Sequence, residues 1–183
     1  MPSPFMVLGI SGSLRAASLN TEILRAVAGL MSPDIRYEVY PGLDTLPHFN
    51  PDRADESIPA VTELRHRVRS AHGLLICSPE YARGVPGALK NALDWLVGGT
   101  EIVGKPVALL NASPHSTHAH AALIVTLETM SARIVRDASI TLPLRGPLAN
   151  AAAMLADLTV ADALHAALAA LVREMRKNGN PSA

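Results

Sequence analysis

The residues best suited to chemistry lie in one short segment, GISGSLRAASLN, at residues 9–20. Four neutral hydrogen-bonding side chains surround one guanidinium group there: Ser11, Ser13, Ser18 and Asn20 around Arg15. The apolar run FMVL precedes the segment and residues with helical spacing follow it, so it leads from a predicted strand into a predicted helix. Unpaired N–H groups and the positive end of the helix dipole at such a start suit a phosphate group. The alternative is a plain tight turn with Arg15 on the surface.

The residues that this segment lacks limit what it does with a phosphate. It is not GxxxxGK[ST], so it has neither the lysine nor the hydroxyl that nucleoside triphosphate hydrolysis uses. It is not GxGxxG, which argues against a dinucleotide held along it. It contains no cysteine, which excludes a thiolate phosphatase mechanism. The segment therefore predicts binding of a phosphate without chemistry on it.

A second distinctive segment, SPEYARGVPGALKNALDW, covers residues 78–95. Two prolines stiffen its loop, and Gly84 and Gly87 permit a close approach of the backbone to a flat ligand. A stiff row of backbone N–H groups beside Tyr81 suits the carbonyl and nitrogen edge of a flavin ring. The lone cysteine, Cys77, comes just before this loop at the end of an apolar run, which favours a buried and inert thiol.

Five apolar runs separated by helical patterns must position these two loops. The runs are residues 5–10, 35–40, 73–77 and 106–110, with residues 134–135 and 140–142 supplying a fifth. Strands that alternate with helices predict a doubly wound α/β sheet of parallel strands in three layers, in the order 2-1-3-4-5. In that order the loops after strands one and three face the same crevice.

Several local patterns predict where the helices begin. Pro86 is expected to open the third helix, and residues 113–120 to form a polar loop before the fourth. Thr159 and Asp162 resemble a capping box at the start of the last helix, and residues 151–172 read as amphipathic. Trp95, on the third helix, fits the core and a subunit interface equally well.

Composition limits the partners and the compartment. The chain of 183 residues has 16 basic and 16 acidic residues, so no overall charge attracts nucleic acid or a membrane surface. We expect one domain at residues 1–177 and a disordered tail at residues 178–183. The lone cysteine and the absence of a secretory signal pattern predict a cytoplasmic protein. His115, His118 and His120 fit no zinc pattern, and no metal site is predicted.

Two motifs resemble those of a known family. GSLRxxSxN at residues 12–20 and PEYxxxxPGxLKNAxDW at residues 79–95, in this order, resemble the NADPH-dependent FMN reductase family of flavodoxin-like proteins, which includes quinone and chromate reductases. The segment LPHFNPD at residues 46–52 is also similar to that family, and the likeness spans about residues 6–112. The resemblance implies a flavodoxin-like three-layer sandwich that binds FMN and uses NADPH or NADH as reductant.

The resemblance also implies the site. The FMN phosphate is expected at Ser13, Arg15, Ser18 and Asn20, and the isoalloxazine ring against Pro79, Glu80, Tyr81 and Ala82. Ser11, Gly84 and Ser113 complete the expected cofactor site, and Tyr81 and Arg83 are expected on the substrate side. Two departures from the family pattern are Ala82, where relatives carry Asn or His, and a third loop that is not glycine-rich.

The resemblance implies an enzyme that reduces quinones, flavins or similar small electron acceptors by ping-pong hydride transfer through FMN, as a homodimer or homotetramer. Two alternatives remain open at this point. One is a flavodoxin-type electron carrier, against which the neutral net charge counts because such carriers dock through acidic surfaces. The other is a non-catalytic module that binds FMN or another phosphorylated ligand.

Overall fold

A parallel sheet forms the middle layer of the structure. The computed structural model describes residues 5–54, 56–142, 144 and 150–178. Its strands are β1 (Phe5–Ser11), β2 (Ile35–Val39), β3 (Gly73–Cys77), β4 (Pro106–Asn111), β5 (Arg133–Ile134) and β6 (Ile140–Thr141). The strand order β2-β1-β3-β4-β5, with every pairing parallel, confirms the predicted order.

The fifth strand position is divided into two short strands. β5 pairs with the beginning of β4 and β6 with its end, and a 3-10 turn at Arg136–Ala138 separates them. The turn is held against β4 because the Leu109 N–H donates to the Ser139 hydroxyl at 3.1 Å and the Val135 N–H donates to the Val107 carbonyl at 2.8 Å. A side chain thus takes over one hydrogen bond that a continuous strand would have made.

Helices cover both faces of the sheet. They are α1 (Leu19–Ala28), α2 (Pro59–Ser70), α3 (Gly87–Val97), α4 (Thr117–Thr129), α5 (Ala151–Ala156) and α6 (Leu158–Asn178). Side chains of β3 alternate between two apolar layers, with Leu74 and Ile76 packed among α2, α3 and α4. Leu75 and Cys77 pack on the other face among α1, α5 and α6. This alternation produces the predicted three layers.

Three predicted helix starts need correction. α3 begins at Gly87, with Pro86 as its N-cap. The polar loop predicted at residues 113–120 ends at residue 116, so His118 and His120 lie in α4. The capping box at Thr159 and Asp162 is wrong, because Asp157 Oδ1 accepts the N–H groups of Thr159 at 3.0 Å and of Val160 at 3.2 Å.

The C-terminal region also differs in detail from the expectation. The predicted helix at residues 151–172 is divided into α5 and α6, which meet at Asp157. None of the helices in the described part of the chain is long and apolar enough to cross a membrane. Of the tail predicted at residues 178–183, all but Asn178, which ends α6, lies outside the described residues.

Candidate functional site

The loop after β1 leads directly into α1, and Ser18 caps that helix. The Ser18 hydroxyl accepts the N–H of Thr21, while the N–H groups of Leu19 and Asn20 donate to no group within the described residues. The Ser13 hydroxyl accepts the N–H of Arg15 at 3.3 Å, so its own proton remains for another acceptor. This helix start offers several unused donors to an anion.

Ser11 has a different role from its neighbours. Its hydroxyl lies 2.8 Å from the Thr21 hydroxyl and accepts the N–H of Ser13 at 3.3 Å. It also lies 3.3 Å from the Ser13 carbonyl. These contacts lie inside the loop, so the Ser11 hydroxyl braces it, and the expected contact of Ser11 with the cofactor stays a prediction.

Asn20 is buried beneath the loop, with 7% of its surface exposed. Its Oδ1 accepts a hydrogen bond from the Cys77 thiol at a distance of 3.3 Å. Its Nδ2 group donates to no group within the described residues and is not sealed from solvent. Cys77 is fully buried, as predicted, and burial raises the pKa of its thiol far above the usual value.

The loops after β1 and β3 touch at Gly12. A Cβ atom at this position would lie 2.4 Å from Ser78 Oγ and 2.8 Å from Ser78 Cβ, so only glycine fits between the two loops. The Gly12 N–H also donates to the Cys77 carbonyl at 2.8 Å. The two segments singled out in the sequence are therefore neighbours at one edge of the sheet, as predicted.

The loop after β3 folds into a tight hairpin between Tyr81 and Gly84. The two residues exchange backbone hydrogen bonds of 3.2 and 2.9 Å. Ala82 and Arg83 between them have φ angles of +49° and +59°, a left-handed turn that usually carries Asn or Gly. The positive φ values fall on these two residues and not on the neighbouring Gly84. Tyr81 is 49% exposed, so its ring does not pack beneath the loop.

Glu80 connects the second loop to the third. Its Oε2 accepts the N–H of Ala119 in the first turn of α4 at 2.9 Å, while the N-cap Ser116 makes no side-chain cap. Within the described residues Arg83 forms no ion pair with Glu80. In the third loop the Ser113 hydroxyl accepts the N–H of His115 at 3.2 Å. No local pattern predicts the contact of Glu80 with Ala119, because the two residues are 39 positions apart in the sequence.

The LKNALDW part of the second motif holds another loop in place. Asn91 Nδ2 and the Trp95 indole N–H both donate to the Pro47 carbonyl, at 3.0 and 2.8 Å. Asn91 Oδ1 accepts the N–H of Phe49 at 2.7 Å, and the Phe49 and Trp95 rings meet edge to face. Trp95 is 1% exposed, which assigns it to the core of this chain. The motif therefore fixes the LPHFN segment beside the sheet.

A cavity of about 350 Å³ lies between the first loop and the segment after β2. Ser11, Ser13, Arg15 and Thr21 line one side of it, and Tyr40 lies on the other. A wider groove of about 510 Å³ is found between the start of β2 and α6, at the opposite edge of the sheet. The smaller cavity is the one beside the unused donors, and we take it as part of the candidate site.

One ion pair and one exposed arginine lie near the first loop. Glu22 pairs with Arg25, and the N–H of Ala151 donates to its carboxylate at 3.0 Å, which lowers the pKa of Glu22. Arg15 forms no ion pair within the described residues and is exposed. In the part of the chain that the structure describes, no three His, Cys, Asp or Glu side chains form a group that could hold a metal ion.

The sheet order and the loops at its carboxyl edge define a flavodoxin-like α/β protein with a helix start suited to phosphate. The comparisons with known proteins are more specific. The family model for NADPH-dependent FMN reductases matches residues 5–144, and the chain belongs to that family. This confirms the resemblance seen in the two motifs.

Individual relatives carry related names. An NAD(P)H-dependent FMN reductase of Pseudomonas aeruginosa is 40% identical over 116 residues, and a quinone reductase of Escherichia coli is 33% identical over 117 residues. Each match covers 62% of this chain and 62% of the relative's own length. The chain thus spans under two thirds of these curated relatives.

A solved structure gives a more complete match. FerB, a flavoenzyme NAD(P)H:(acceptor) oxidoreductase from Paracoccus denitrificans, superposes with a TM-score of 0.81 at 26% identity. The superposition covers 96% of this chain and 99% of FerB. The whole fold, including the region beyond the two motifs, is therefore shared with this protein.

Proposed function

We propose that the protein is an FMN-dependent oxidoreductase that takes electrons from NADPH or NADH and gives them to quinones or similar small acceptors. The observation that carries the proposal is the set of unused donors at the start of α1, in a chain that belongs to the NADPH-dependent FMN reductase family. The names of its relatives support the electron donor and the class of acceptor.

The donor set fits a phosphate monoester. The hydroxyl protons of Ser13 and Ser18, the Nδ2 group of Asn20 and two backbone N–H groups are neutral donors, and the Arg15 guanidinium supplies a positive charge. These residues would hold the phosphate of FMN. The bound flavin would supply the redox chemistry by accepting a hydride and passing electrons on.

The hairpin after β3 would lie against the flavin ring. The N–H groups of Ala82 and Arg83 donate to no backbone carbonyl among the described residues, which leaves them for the ring edge. The backbone bonds of Gly84 and the contact of Glu80 with α4 fix the hairpin, which follows Pro79, and Ser113 lies in the neighbouring loop. The exposed ring of Tyr81 and the side chain of Arg83 would face the electron acceptor or the nicotinamide nucleotide.

An absorbance spectrum of the purified protein, recorded with and without NADPH, tests this function. We expect a flavin band, after addition of FMN if needed, that bleaches with NADPH, and steady NADPH oxidation in the presence of menadione. A bound flavin without NADPH oxidation would favour an electron carrier. A protein that takes up no FMN would contradict the proposal.

Substitution of Arg15 tests the phosphate assignment. Arg15→Ala should weaken FMN binding about tenfold, the lower end of what a charge-assisted hydrogen bond contributes, because the side chain is exposed and screened. Arg136→Ala is the matched control, since this arginine is 85% exposed on the turn between β5 and β6. Equal FMN dissociation constants for the two variants would refute the assignment.

Three further features belong to the proposal. The exchange of NAD(P)H and acceptor is ping-pong, which parallel lines in double-reciprocal kinetics would test. The protein forms a homodimer or homotetramer, which light scattering measures. Its location in the cytoplasm stays a prediction from the sequence.

A further inference from the structure

Cys77 lies at the point where the first loop joins the sheet. It is the last residue of β3, opposite Ser11 across the β1–β3 pairing, and its carbonyl accepts the Gly12 N–H. Its side chain is fully buried in the apolar layer beneath α1. The backbone of Cys77 therefore holds the start of the loop while its thiol faces the first turn of α1.

The thiol makes one directional contact, the hydrogen bond to Asn20 Oδ1 at 3.3 Å. The two ends of an amide side chain are nearly equal in shape, so hydrogen-bond partners decide which end faces which way. Because the Cys77 thiol is a donor on the core side of Asn20, the Oδ1 atom of the amide turns toward the core. The Nδ2 group must then lie on the solvent side, where it has no partner among the described residues.

Burial keeps this arrangement independent of pH in the physiological range. It raises the pKa of the Cys77 thiol, so the thiol stays protonated and remains a donor. A protonated thiol sealed from solvent is also a poor nucleophile and is protected from oxidants.

We propose that Cys77 is a positioning residue for phosphate recognition, whose thiol turns the Asn20 amide so that Nδ2 donates to the phosphate of the ligand. Two independent observations carry this: the thiol contact on Oδ1, and an Nδ2 group that has no partner among the described residues although Asn20 is nine-tenths buried at a helix start. The inference rests on the proposed function, because it assumes that a phosphate group binds at α1.

The positioning role of Cys77 is tested by the preference for FMN, which is the ratio of the riboflavin dissociation constant to the FMN dissociation constant. Riboflavin lacks the phosphate, so this ratio measures phosphate recognition. Cys77→Ala removes the donor and should reduce the preference for FMN about fivefold, the contribution of one hydrogen bond. Cys77→Ser restores a donor and should keep the preference within about twofold. Val7→Ala, at the far end of the same buried layer, should lower the melting temperature without changing the ratio.

A double substitution separates positioning from direct contact. Asn20→Ala should reduce the preference for FMN about tenfold, and adding Cys77→Ala to it should cause no further loss, because the thiol acts only through the amide. Additive losses in the double variant would overturn the inference.

The S–H stretching band in the Raman spectrum gives a readout without any ligand. The chain has one cysteine, so the band belongs to Cys77. We expect it to move to higher frequency in Asn20→Ala, as the thiol loses its acceptor, and an unchanged band would overturn the contact.

A failure of the phosphate-site assignment can be distinguished from a failure of the positioning role alone. If the wild-type protein binds FMN no better than riboflavin, phosphate recognition is absent and both the site assignment and this inference fall. If the wild type prefers FMN and Cys77→Ala keeps that preference in full, only the positioning role falls.

Discussion

We predict that the contact between Glu80 and α4 stabilises the folded protein. The Glu80 carboxylate accepts the Ala119 N–H at 2.9 Å, in a helix whose own N-cap residue makes no side-chain hydrogen bond. Removal of a cap costs about 1 kcal/mol, and loss of a negative charge near a helix N-terminus costs about 0.3 to 1 kcal/mol. Glu80→Ala should therefore lower the free energy of unfolding by about 1.3 to 2 kcal/mol.

Urea denaturation of the ligand-free protein measures this loss. With a slope of about 2 kcal/mol per molar urea, the midpoint should fall by about 0.7 to 1 M. Glu80→Gln keeps an acceptor oxygen and should lose only the charge contribution, so its difference from the wild type should shrink in high salt. Glu128→Ala, near the other end of the same helix, is the control and should stay within about 0.5 kcal/mol of the wild type.

The reasoning would be refuted if Glu80→Ala unfolded at the wild-type midpoint. It would also be refuted if the glutamine and alanine variants were equally destabilised, since the retained oxygen would then contribute nothing. A change of slope without a change of midpoint would point to an altered denatured state.

Two further predictions concern the hairpin and the histidines. Ala82→Asn should raise the free energy of unfolding by about 0.5 to 1 kcal/mol, because asparagine tolerates the left-handed φ of +49°, and a lower melting temperature would contradict this turn. Burial lowers the pKa of His72 and His120, and for His72 the nearby Lys105 charge adds to the effect. The unfolded chain then binds more protons, so stability should fall as the pH drops below about 6.5. The variant that combines His72→Gln with His120→Gln should show a weaker pH dependence of its melting temperature than the wild type below about pH 6.5.

The order of the strands was predictable because the three central strands β1, β3 and β4 are short apolar runs buried on both faces. Alternation of such runs with helices leaves few topologies, and the observed sheet has the predicted one. The details that were not predicted, the division of the fifth strand position and the start of the last helix, depend on side-chain contacts that the local sequence pattern does not encode. Ser139 replaces a strand hydrogen bond, and Asp157 supplies the cap that Thr159 and Asp162 were expected to form.

The two loops of the candidate site were predictable from the sequence, but the hydrogen bonds that tie them to the rest of the fold were not. Residue types placed the phosphate-suited donors at Ser13, Ser18 and Asn20, and the sheet order brought both loops together. The contacts of Glu80 with α4 and of Cys77 with Asn20 join partners 39 and 57 residues apart. No local spacing encodes such pairs, so they become visible only in the folded chain.

The divided fifth strand position has a consequence for self-association. An exposed sheet edge offers unpaired N–H and C=O groups on which another chain can add a strand. Here the edge beside β4 consists of two strands of two residues each, interrupted by a turn. So short and broken an edge gives an incoming strand no continuous ladder, which protects this side of the sheet from edge-to-edge aggregation.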